Sequence, residues 1–327
     1  MGVSAIVRRV SHSQNKTLAL KVDVDTLRGT REGVPRLLDI FRKHEAGATF
    51  LFSLGPDHTG RAIKRVFRPG FLKKVSRTSV VSHYGFPTLL YGTVLPGPDI
   101  GRRCAEVLRR VRDDGFEVGI HTWDHVKWQD GVQQADAAWI HREMQSACER
   151  FTEILKEAPL THGAAGWQMN LNSLRETQRL GFDYCSDGRG IHPFIPVLHA
   201  EIIDCPQIPT TLPTLDELIG LDGCNENNVH ERVLQLTEDS SIHAHVFTLH
   251  AELEGMRLAG VMEKLIAGWK EQGHALVTTR HAYEALQPAA LPYHEVIQGT
   301  VPGRSGTLMV QGPEYLAGLA ACSTPAK

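Results

Sequence analysis

The sequence has 327 residues, of which 42% are hydrophobic, and a formal net charge of −2. A chain of this length forms one large domain or two ordinary ones with a sizeable core, and its balanced charge gives no indication of nucleic-acid binding. No stretch approaches the roughly 20 apolar residues of a membrane span, and residues 1–16 lack the apolar centre of a secretory signal, so we expect any membrane contact to be peripheral.

Apolar runs typical of strands alternate with helical patterns through most of the chain. TLALKVD predicts a strand at residues 17–23, GVPRLLDIFRKHEA predicts a helix, and ATFLFSL predicts the next strand. The alternation continues through FEVGIH and the amphipathic AAWIHREMQSACERFTEIL to the late strand AHVFTLHA, followed by GVMEKLIAGWKEQG and HALVTT. This order predicts a parallel α/β sheet or barrel of about seven strands.

These patterns divide the chain into three parts. We expect an N-terminal arm at residues 1–16 and a catalytic domain at residues 17–287. Residues 288–327 are rich in Pro, Gly and Ala and lack a clear period, which predicts a loose extension.

One segment of the catalytic domain, residues 58–98, breaks the alternation. Its first part, HTGRAIKRVFRPGFLKKVSRTSVVSHYG, contains many basic residues, interleaved with aromatic ones, and no acidic residue. Such a composition is typical of a segment that meets anionic lipid; a solvated basic helix packed on the domain is the alternative. The candidate phosphate or lipid contacts are Arg61, Lys64, Arg65 and Arg68.

Polar groups follow several of the predicted strands. Parallel α/β folds place their chemistry at the carboxyl ends of the strands, which meet at one edge of the sheet. The groups at these ends are Asp23 and Asp25 in DVD, His121 and His125 in HTWDH, Ser186–Asp187 in CSDGRG, and His250 in TLHA.

The residue types at these ends fit a catalytic metal centre. Asp23 and Asp25 point to the same side of a strand, and two neighbouring carboxylates need a cation or a shared proton. His121 and His125, four residues apart, adjoin if they occupy a helical turn. One carboxylate and two imidazoles make a three-ligand site with open positions for water. His250, across the same mouth, is a candidate general acid.

Each of these residues also has an ordinary structural explanation. The aspartates could cap a helix or lie at a solvated strand end, and the histidines could be half-buried side chains bonded to the backbone. A closed structural metal site is a further alternative, but it normally has four protein ligands.

The motifs together resemble the NodB-type polysaccharide deacetylase family. The longer runs KVDVDTLRGTREGVPRLLDIF, TFLFSLGPD, EVGIHTWDHVKWQ, AAGWQ and IPTTLPTLDELIG are similar to one branch of it, the 4-deoxy-4-formamido-L-arabinose-phosphoundecaprenol deformylases. The likeness extends over roughly residues 17–287. It implies a distorted (β/α)7-type barrel and a metal-dependent amidohydrolase that removes an N-formyl group during lipid A modification.

The resemblance also implies a role for each motif residue. It makes Asp23 the base, Asp25, His121 and His125 the ligands of one divalent metal, His250 the acid, and Asp187 the residue that orients His250. The metal would be Zn, Co, Mn, Ni or Fe(II). The implied partners are a lipid-linked sugar and the anionic surface of the inner membrane on its cytoplasmic side; no nucleic acid and no protein partner is indicated.

The sequence departs from the family pattern on the middle strand. Family members that act on polysaccharides carry an Arg-x-Pro motif there, whose Arg braces the catalytic Asp, but residues 162–167 read HGAAGW. The deformylase branch also has a small-residue run at this point. Arg28, Arg31 and Arg189 are the candidates to replace the missing Arg or to contact substrate, and Trp167 is a further candidate substrate contact.

Two other functions remain compatible with the sequence. A deacetylase of N-acetylated polysaccharide or peptidoglycan sugars would share the metal chemistry. A non-catalytic protein that binds carbohydrate phosphates on a deacetylase fold would explain the missing Arg, although it would not need all five motif residues.

Overall fold

Seven parallel strands form the main sheet of the protein, for which a computed structural model describes residues 16–62, 88–238, 242 and 244–317. The strands are buried almost throughout, as in parallel sheets that helices cover on both faces. The predicted α/β barrel is confirmed as a curled half-barrel. Numbered in chain order, the strands of this sheet are β1 Thr17–Val24, β2 Thr49–Ser53, β3 Glu117–Thr122, β4 Thr161–His162, β5 Tyr184–Cys185, β8 Ala244–His250 and β9 Ala275–Val277.

Strand β1 lies at the centre of the functional edge of this sheet. The order is β5-β4-β3-β2-β1-β8, and β9 pairs with β1. β8 runs beside β1 from Thr17 to Asp23, whereas β9 pairs with the first residues of β1 and β2 pairs with it from Lys21 onward. The carboxyl end of β1 is therefore flanked by β2 and β8.

Helices cover the sheet and bury their apolar sides against it. In the first of them, Leu37, Leu38 and Phe41 are fully buried, and Phe41 contacts Phe50 of β2 with 6.0 Å between ring centroids. No helix in the described part of the chain is both long and apolar enough to cross a membrane. The helices are α1 Val34–Lys43, α2 Ile100–Arg103, α3 Ala105–Asp113, α4 His125–Gly131, α5 Ala137–Leu155, α6 Leu171–Leu180, α7 Leu215–Leu218, α8 Val229–Glu238, α9 Ala259–Glu271 and α10 Thr279–Glu284.

Short helical turns lie mainly at the ends of the regular elements. The π-helical turns Gly29–Gly33 and Leu253–Arg257 follow β1 and β8 and pack against each other. Their contact is close, because a Cβ on Gly33 would lie 2.1 Å from the carbonyl oxygen of Ala251. The 3₁₀ turns are Thr88–Leu90, Val132–Gln134, Ala165–Trp167 and Pro288–Ala290.

A second, four-stranded sheet joins the chain after residue 287 to the barrel. Its order is β11-β10-β6-β7, with β10 and β11 antiparallel and β10 parallel to β6. The prediction of a loose extension from residue 288 is therefore wrong for the part described, up to residue 317. The strands are β6 Ile195–Leu198, β7 Glu201–Ile202, β10 Tyr293–Gly299 and β11 Leu308–Glu314.

The loop between β10 and β11 is fastened to helix α7. Gly303 has a left-handed φ of +81°, and a Cβ at this position would lie 2.0 Å from the carbonyl oxygen of Glu217. The next residue, Arg304, places its Nη1 3.5 Å from Glu217 Oε1. The C-terminal hairpin is thus an integral part of the domain.

Replacing Gly303 with Ala should destabilise the protein strongly. The left-handed backbone costs about 1–2 kcal/mol for an L-residue, and overpacking against α7 adds about 1–3 kcal/mol. Gly306→Ala is the matched control, because Gly306 has φ +82° but nothing within 4 Å of the added Cβ. Urea unfolding measures both, and equal losses in the free energy of unfolding would contradict the tight contact.

Candidate active site

The polar groups predicted from the strand ends do meet at one edge of the sheet. Asp23 pairs in register with His250 of the neighbouring strand β8, and Ile120, next to His121, pairs with His162 of β4. Because all of these strands run in the same direction, their last residues converge on one mouth of the half-barrel.

Asp25, His121 and His125 form a compact group at this mouth. His121 Nε2 lies 3.3 Å from Asp25 Oδ1, and His125 Nε2 lies 3.4 Å from Asp25 Oδ2. The two imidazole rings stack with 5.3 Å between their centroids. The potential ligand atoms of the three residues all lie within 4.8 Å of one another, which is compatible with a single ion between them.

The two histidines do not share a helical turn, so the predicted geometry of HTWDH is wrong. His121 belongs to β3, whereas His125 is the first residue of α4. Asp124 makes this sharp change of direction, because its side chain accepts a hydrogen bond from the backbone N–H of Lys127 and so caps the helix. Its other oxygen lies 2.6 Å from Nδ1 of His58.

Hydrogen bonds to the backbone orient two of these candidate ligands. His121 donates from Nδ1 to the carbonyl oxygen of Gly163 at 2.6 Å, which leaves Nε2 directed at Asp25. Glu252 Oε1 accepts from the backbone N–H of Asp25 at 3.1 Å and from both the N–H and the hydroxyl of Thr26 at 2.8 Å. Such outer contacts fix ring orientation and ligand position in metal sites.

The charges of the group are strongly coupled. Burial raises the pKa of Asp25, but the positive charge of His125, a hydrogen bond from His121 and the charges of His121 and His250 together hold it well below its ordinary value. Burial lowers the pKa of His121, and the carboxylates of Asp23 and Asp25 outweigh this and raise it. Asp25 thus stays ionised, as a metal ligand must.

The residues fit a divalent cation. Two imidazoles and one carboxylate are a common donor set for zinc and for several other first-row metals. Asp25 Oδ1 is buried and makes no regular hydrogen bond among the described residues beyond its 3.3 Å contact with His121 Nε2, and a buried carboxylate oxygen with so weak a partner is costly without a cation beside it.

Asp23 lies beside this group but faces a different cation. Its Oδ2 is 3.5 Å from Nζ of Lys21, and its Oδ1 is 3.8 Å from Nδ1 of His121. Asp23 Oδ1 has no hydrogen-bond partner in the described part of the chain. One oxygen of Asp23 is therefore held by a cation, while the other keeps unused capacity to accept a hydrogen bond.

His250 is the last residue of β8, which lies on the other side of β1 from β2 and β3. Its backbone N–H donates to Glu254 Oε2 at 2.8 Å. Burial lowers the pKa of His250, but the charges of Asp25, Asp216, Glu254 and Asp23 outweigh it and raise the pKa to about 9. The ring is therefore protonated at neutral pH and is able to donate a proton.

Asp187 does not orient His250, contrary to the prediction. Its Oδ1 accepts from Nδ1 of His162 at 2.6 Å and from the backbone N–H of Ala164 at 2.9 Å, and its Oδ2 accepts from Gln207 at 3.2 Å. Asp187 fixes the β4 segment that carries Gly163, and so acts on His121 through the backbone. His162, Cys185 and Asp187 also form a close buried group, in which both oxygens of Asp187 accept hydrogen bonds and Cys185 Sγ lies 3.5 Å from Cys205 Sγ.

The predicted arginines are engaged elsewhere. Arg28 pairs with Glu32, Arg31 lies beside the thiol of Cys104, and Arg189 makes a two-pronged bond to Glu217 at 2.8 and 3.0 Å. The cation beside Asp23 is Lys21 instead. None of these three arginines forms an ion pair with Asp23 in the described part of the chain.

Trp167 is buried rather than open to a substrate. It is 1% exposed and has a left-handed φ of 54°. Three cations surround its ring, with Lys21 at 5.5 Å, Arg189 at 5.0 Å and Arg304 at 4.5 Å from the ring centroid. Trp167 therefore packs against these three cations and stabilises them through its ring.

The basic segment is only partly described. Arg61 is exposed and donates from Nε to the carbonyl oxygen of Gly92 at 2.9 Å. Lys64, Arg65 and Arg68 lie outside the described residues.

Sequence reasoning missed three residues that shape the site. Lys21 was visible as the one charged residue inside the apolar run TLALKV, two places before Asp23 on the same face. Asp216 and Glu217 lie in the quoted run IPTTLPTLDELIG, but nothing in the sequence indicates that α7 packs near His250.

Comparison with known proteins identifies the class. The family model for polysaccharide deacetylases matches residues 11–185, and the chain belongs to the polysaccharide deacetylase family. The predicted resemblance is therefore confirmed, and so is the prediction of a hydrolase that acts on a C–N bond.

Curated relatives match nearly the whole chain. A protein of Shewanella sediminis (strain HAW-EB3) assigned as the 4-deoxy-4-formamido-L-arabinose-phosphoundecaprenol deformylase ArnD is 39% identical over 299 residues, which are 91% of this chain and 96% of that protein. A protein of Wigglesworthia glossinidia brevipalpis assigned the same name is 30% identical and covers 86% of this chain and 98% of that one.

A solved structure supports the fold. The crystal structure of a Mycobacterium smegmatis protein described as a polysaccharide deacetylase matches with a TM-score of 0.60 at 16% identity. The match covers 89% of this chain and 98% of that chain. At this level of identity the likeness concerns the fold alone.

Replacing Asp216 with Asn should lower the pKa of His250. The negative charge of Asp216 is one of the causes that raise this pKa to about 9, so its loss favours the neutral ring. Nuclear magnetic resonance titration of the His250 ring in metal-free protein measures the change. Asp222→Asn, at an exposed position, is the control and should leave the titration unchanged; an unmoved midpoint in Asp216→Asn would contradict the assigned contact.

Proposed function

We propose that this protein removes the N-formyl group from undecaprenyl-phosphate-linked 4-deoxy-4-formamido-L-arabinose and releases the free amino sugar and formate. The observation that carries the proposal is that Asp23 and His250 lie at the same mouth of the half-barrel as the Asp25–His121–His125 group and next to it. The substrate is inferred from the names of the relatives with 39% and 30% identity, which this chain matches over most of its length.

Asp25, His121 and His125 are the residues that would hold one divalent metal ion. Such an ion lowers the pKa of a bound water and polarises a carbonyl group. Two imidazoles and a carboxylate suit Zn, Co, Mn, Ni and Fe(II) alike, so the identity of the ion is a matter for metal analysis of the purified protein.

The two remaining motif residues divide the proton transfers between them. Asp23 accepts the proton of the attacking water on its unpartnered Oδ1 while the new C–O bond forms at the formyl carbon. His250, protonated at neutral pH, donates to the sugar nitrogen as the C–N bond breaks, because an amide anion is a very poor leaving group. A positioned acid of this kind contributes about 10²–10⁴-fold to the rate.

Mass spectrometry of the lipid-linked sugar tests the reaction. Wild-type protein with added divalent metal should reduce the substrate mass by CO, and a chelator should abolish this change. The N-acetyl analogue should react much more slowly; preferential removal of its acetyl group would contradict the proposal and favour a polysaccharide or peptidoglycan deacetylase. If neither amide is hydrolysed in the presence of metal, the result contradicts the proposal and favours a non-catalytic protein that binds carbohydrate phosphates.

His250→Gln should lower kcat by about 10²–10⁴-fold without changing metal affinity, because His250 is the acid and not a ligand. His121→Gln should lose both activity and metal binding. The matched control is His281→Gln, which changes an exposed histidine on α10. Calorimetric metal titration alongside the kinetics separates the two effects, and loss of metal binding in His250→Gln would contradict the assignment.

We also propose that the basic segment holds the protein on the anionic surface of the inner membrane, on its cytoplasmic side. An undecaprenyl chain keeps the substrate in a bilayer, so the enzyme must work at its surface. At the described end of the segment, Val94 is 78% and Leu95 is 43% exposed. Exposed apolar residues in a segment whose sequence is rich in basic ones favour contact with anionic lipid.

Changing Lys64, Arg65 and Arg68 together to Gln should abolish co-sedimentation with anionic vesicles. Each basic residue near such a surface contributes about 1 kcal/mol, so three changes weaken binding by roughly two orders of magnitude. The control is the same change at three exposed arginines elsewhere, Arg103, Arg142 and Arg232. Undiminished co-sedimentation of the first variant would refute this surface.

A further inference from the structure

We propose that Lys21 is the positioning residue of Asp23, and that it does from strand β1 what the family's motif arginine does from the middle strand. The inference rests on the proposed hydrolysis, in which Asp23 receives the proton of water. It concerns a residue to which the resemblance gives no role, two places before the DVD motif, and it explains how this chain works without the motif arginine.

Lys21 is fully buried in a place where a cation needs partners. Its exposure is 0%, and its Nζ donates to the carbonyl oxygen of Ser186 at 2.9 Å. It lies 3.5 Å from Asp23 Oδ2 and 5.5 Å from the ring centroid of Trp167. A buried ammonium group is tolerated only when it is paired and hydrogen-bonded, and these three contacts supply the pairing from three different segments.

The contacts of Lys21 determine which oxygen of Asp23 is available. Lys21 holds Oδ2, whereas Oδ1 is buried without a hydrogen-bond partner among the described residues and lies 3.8 Å from His121 Nδ1. His121 in turn points its Nδ1–H at Gly163. Lys21 thus holds the carboxylate of Asp23 so that Oδ1 is the oxygen left to accept the proton of water.

The small-residue run in place of the motif arginine makes room for Lys21. A Cβ on Gly163 would lie 3.0 Å from Lys21 Cε and 3.2 Å from Lys21 Nζ, and 2.4 Å from Leu51 Cδ1. A larger residue at 163 would displace the ammonium group. The absence of a side chain at Gly163 is therefore what allows Lys21 to lie beside Asp23.

Lys21 also compensates a repulsion. Asp23 and Asp25 are both buried beside each other, and the histidines lie toward Asp25. The only cation other than His121 within 4.0 Å of Asp23 in the described chain is Lys21. The charged and titratable groups thus follow one another as the Lys21 ammonium, the Asp23 carboxylate, the His121 imidazole, the Asp25 carboxylate and the His125 imidazole.

Lys21→Gln tests the proposal, because Gln keeps an N–H donor for Ser186 and removes the charge. We expect kcat for the lipid-linked formamido sugar to fall by about 10²-fold, the effect of a misplaced catalytic group, with KM and metal affinity close to wild type. Lys21→Arg should recover part of the lost kcat, since it restores the cation. Lys43→Gln, at an exposed lysine paired with Glu263, is the matched control and should behave as wild type.

A second neutral variant guards against misfolding. Lys21→Met has a similar length and suits an apolar surrounding, so it should still fold and show the loss in kcat, although the unpaired Asp23 carboxylate lowers its melting temperature. Wild-type kcat in Lys21→Gln or Lys21→Met would overturn the proposal. Unfolding of both, or a loss in Lys21→Gln that Lys21→Arg does not reverse at all, would overturn it in favour of a packing role. Inactivity of the wild-type protein itself would instead refute the proposed function.

Discussion

The structure around the mouth of the barrel depends on one constraint, the repulsion between the two buried carboxylates of Asp23 and Asp25. Two such groups two residues apart at the end of one strand cannot both stay ionised without nearby positive charge. The chain separates their partners: Lys21 lies against Asp23, and His121 and His125 lie against Asp25. Because of this separation the two aspartates, although only two residues apart, have different roles: Asp23 is the proposed base and Asp25 the proposed metal ligand.

Main-chain groups hold these partners in place. Gly163 accepts from His121, Ser186 accepts from Lys21, and Glu252 accepts from the N–H groups of Asp25 and Thr26. Backbone atoms at strand ends move little because the sheet fixes them. Backbone groups at the rim of the sheet therefore orient the charged side chains. Substitution of exposed side chains at this rim should leave that orientation unchanged.

The motif residues were predictable from the sequence because each follows an apolar strand, and parallel strands bring such positions together. Their partners were not predictable, since partners depend on strand order and on the exact course of the loops. The sequence placed Asp187 with His250, but its carboxylate bonds to His162 and Ala164 on the side of the neighbouring strand β4. Lys21 was overlooked because a lysine in a strand is ordinarily taken to face solvent. The C-terminal hairpin was overlooked although Tyr293–Gly299 alternates exposed and buried residues, because its partner β6 is distant in the sequence.

The contact of Gly303 and Arg304 with Glu217 reaches the catalytic edge indirectly. Asp216, whose charge acts on His250, is on the same short helix as Glu217. A substitution in the β10–β11 loop can therefore alter the electrostatic surroundings of the acid while leaving Asp25, His121 and His125 untouched, so the segment that looked least structured has influence over the chemistry at a distance.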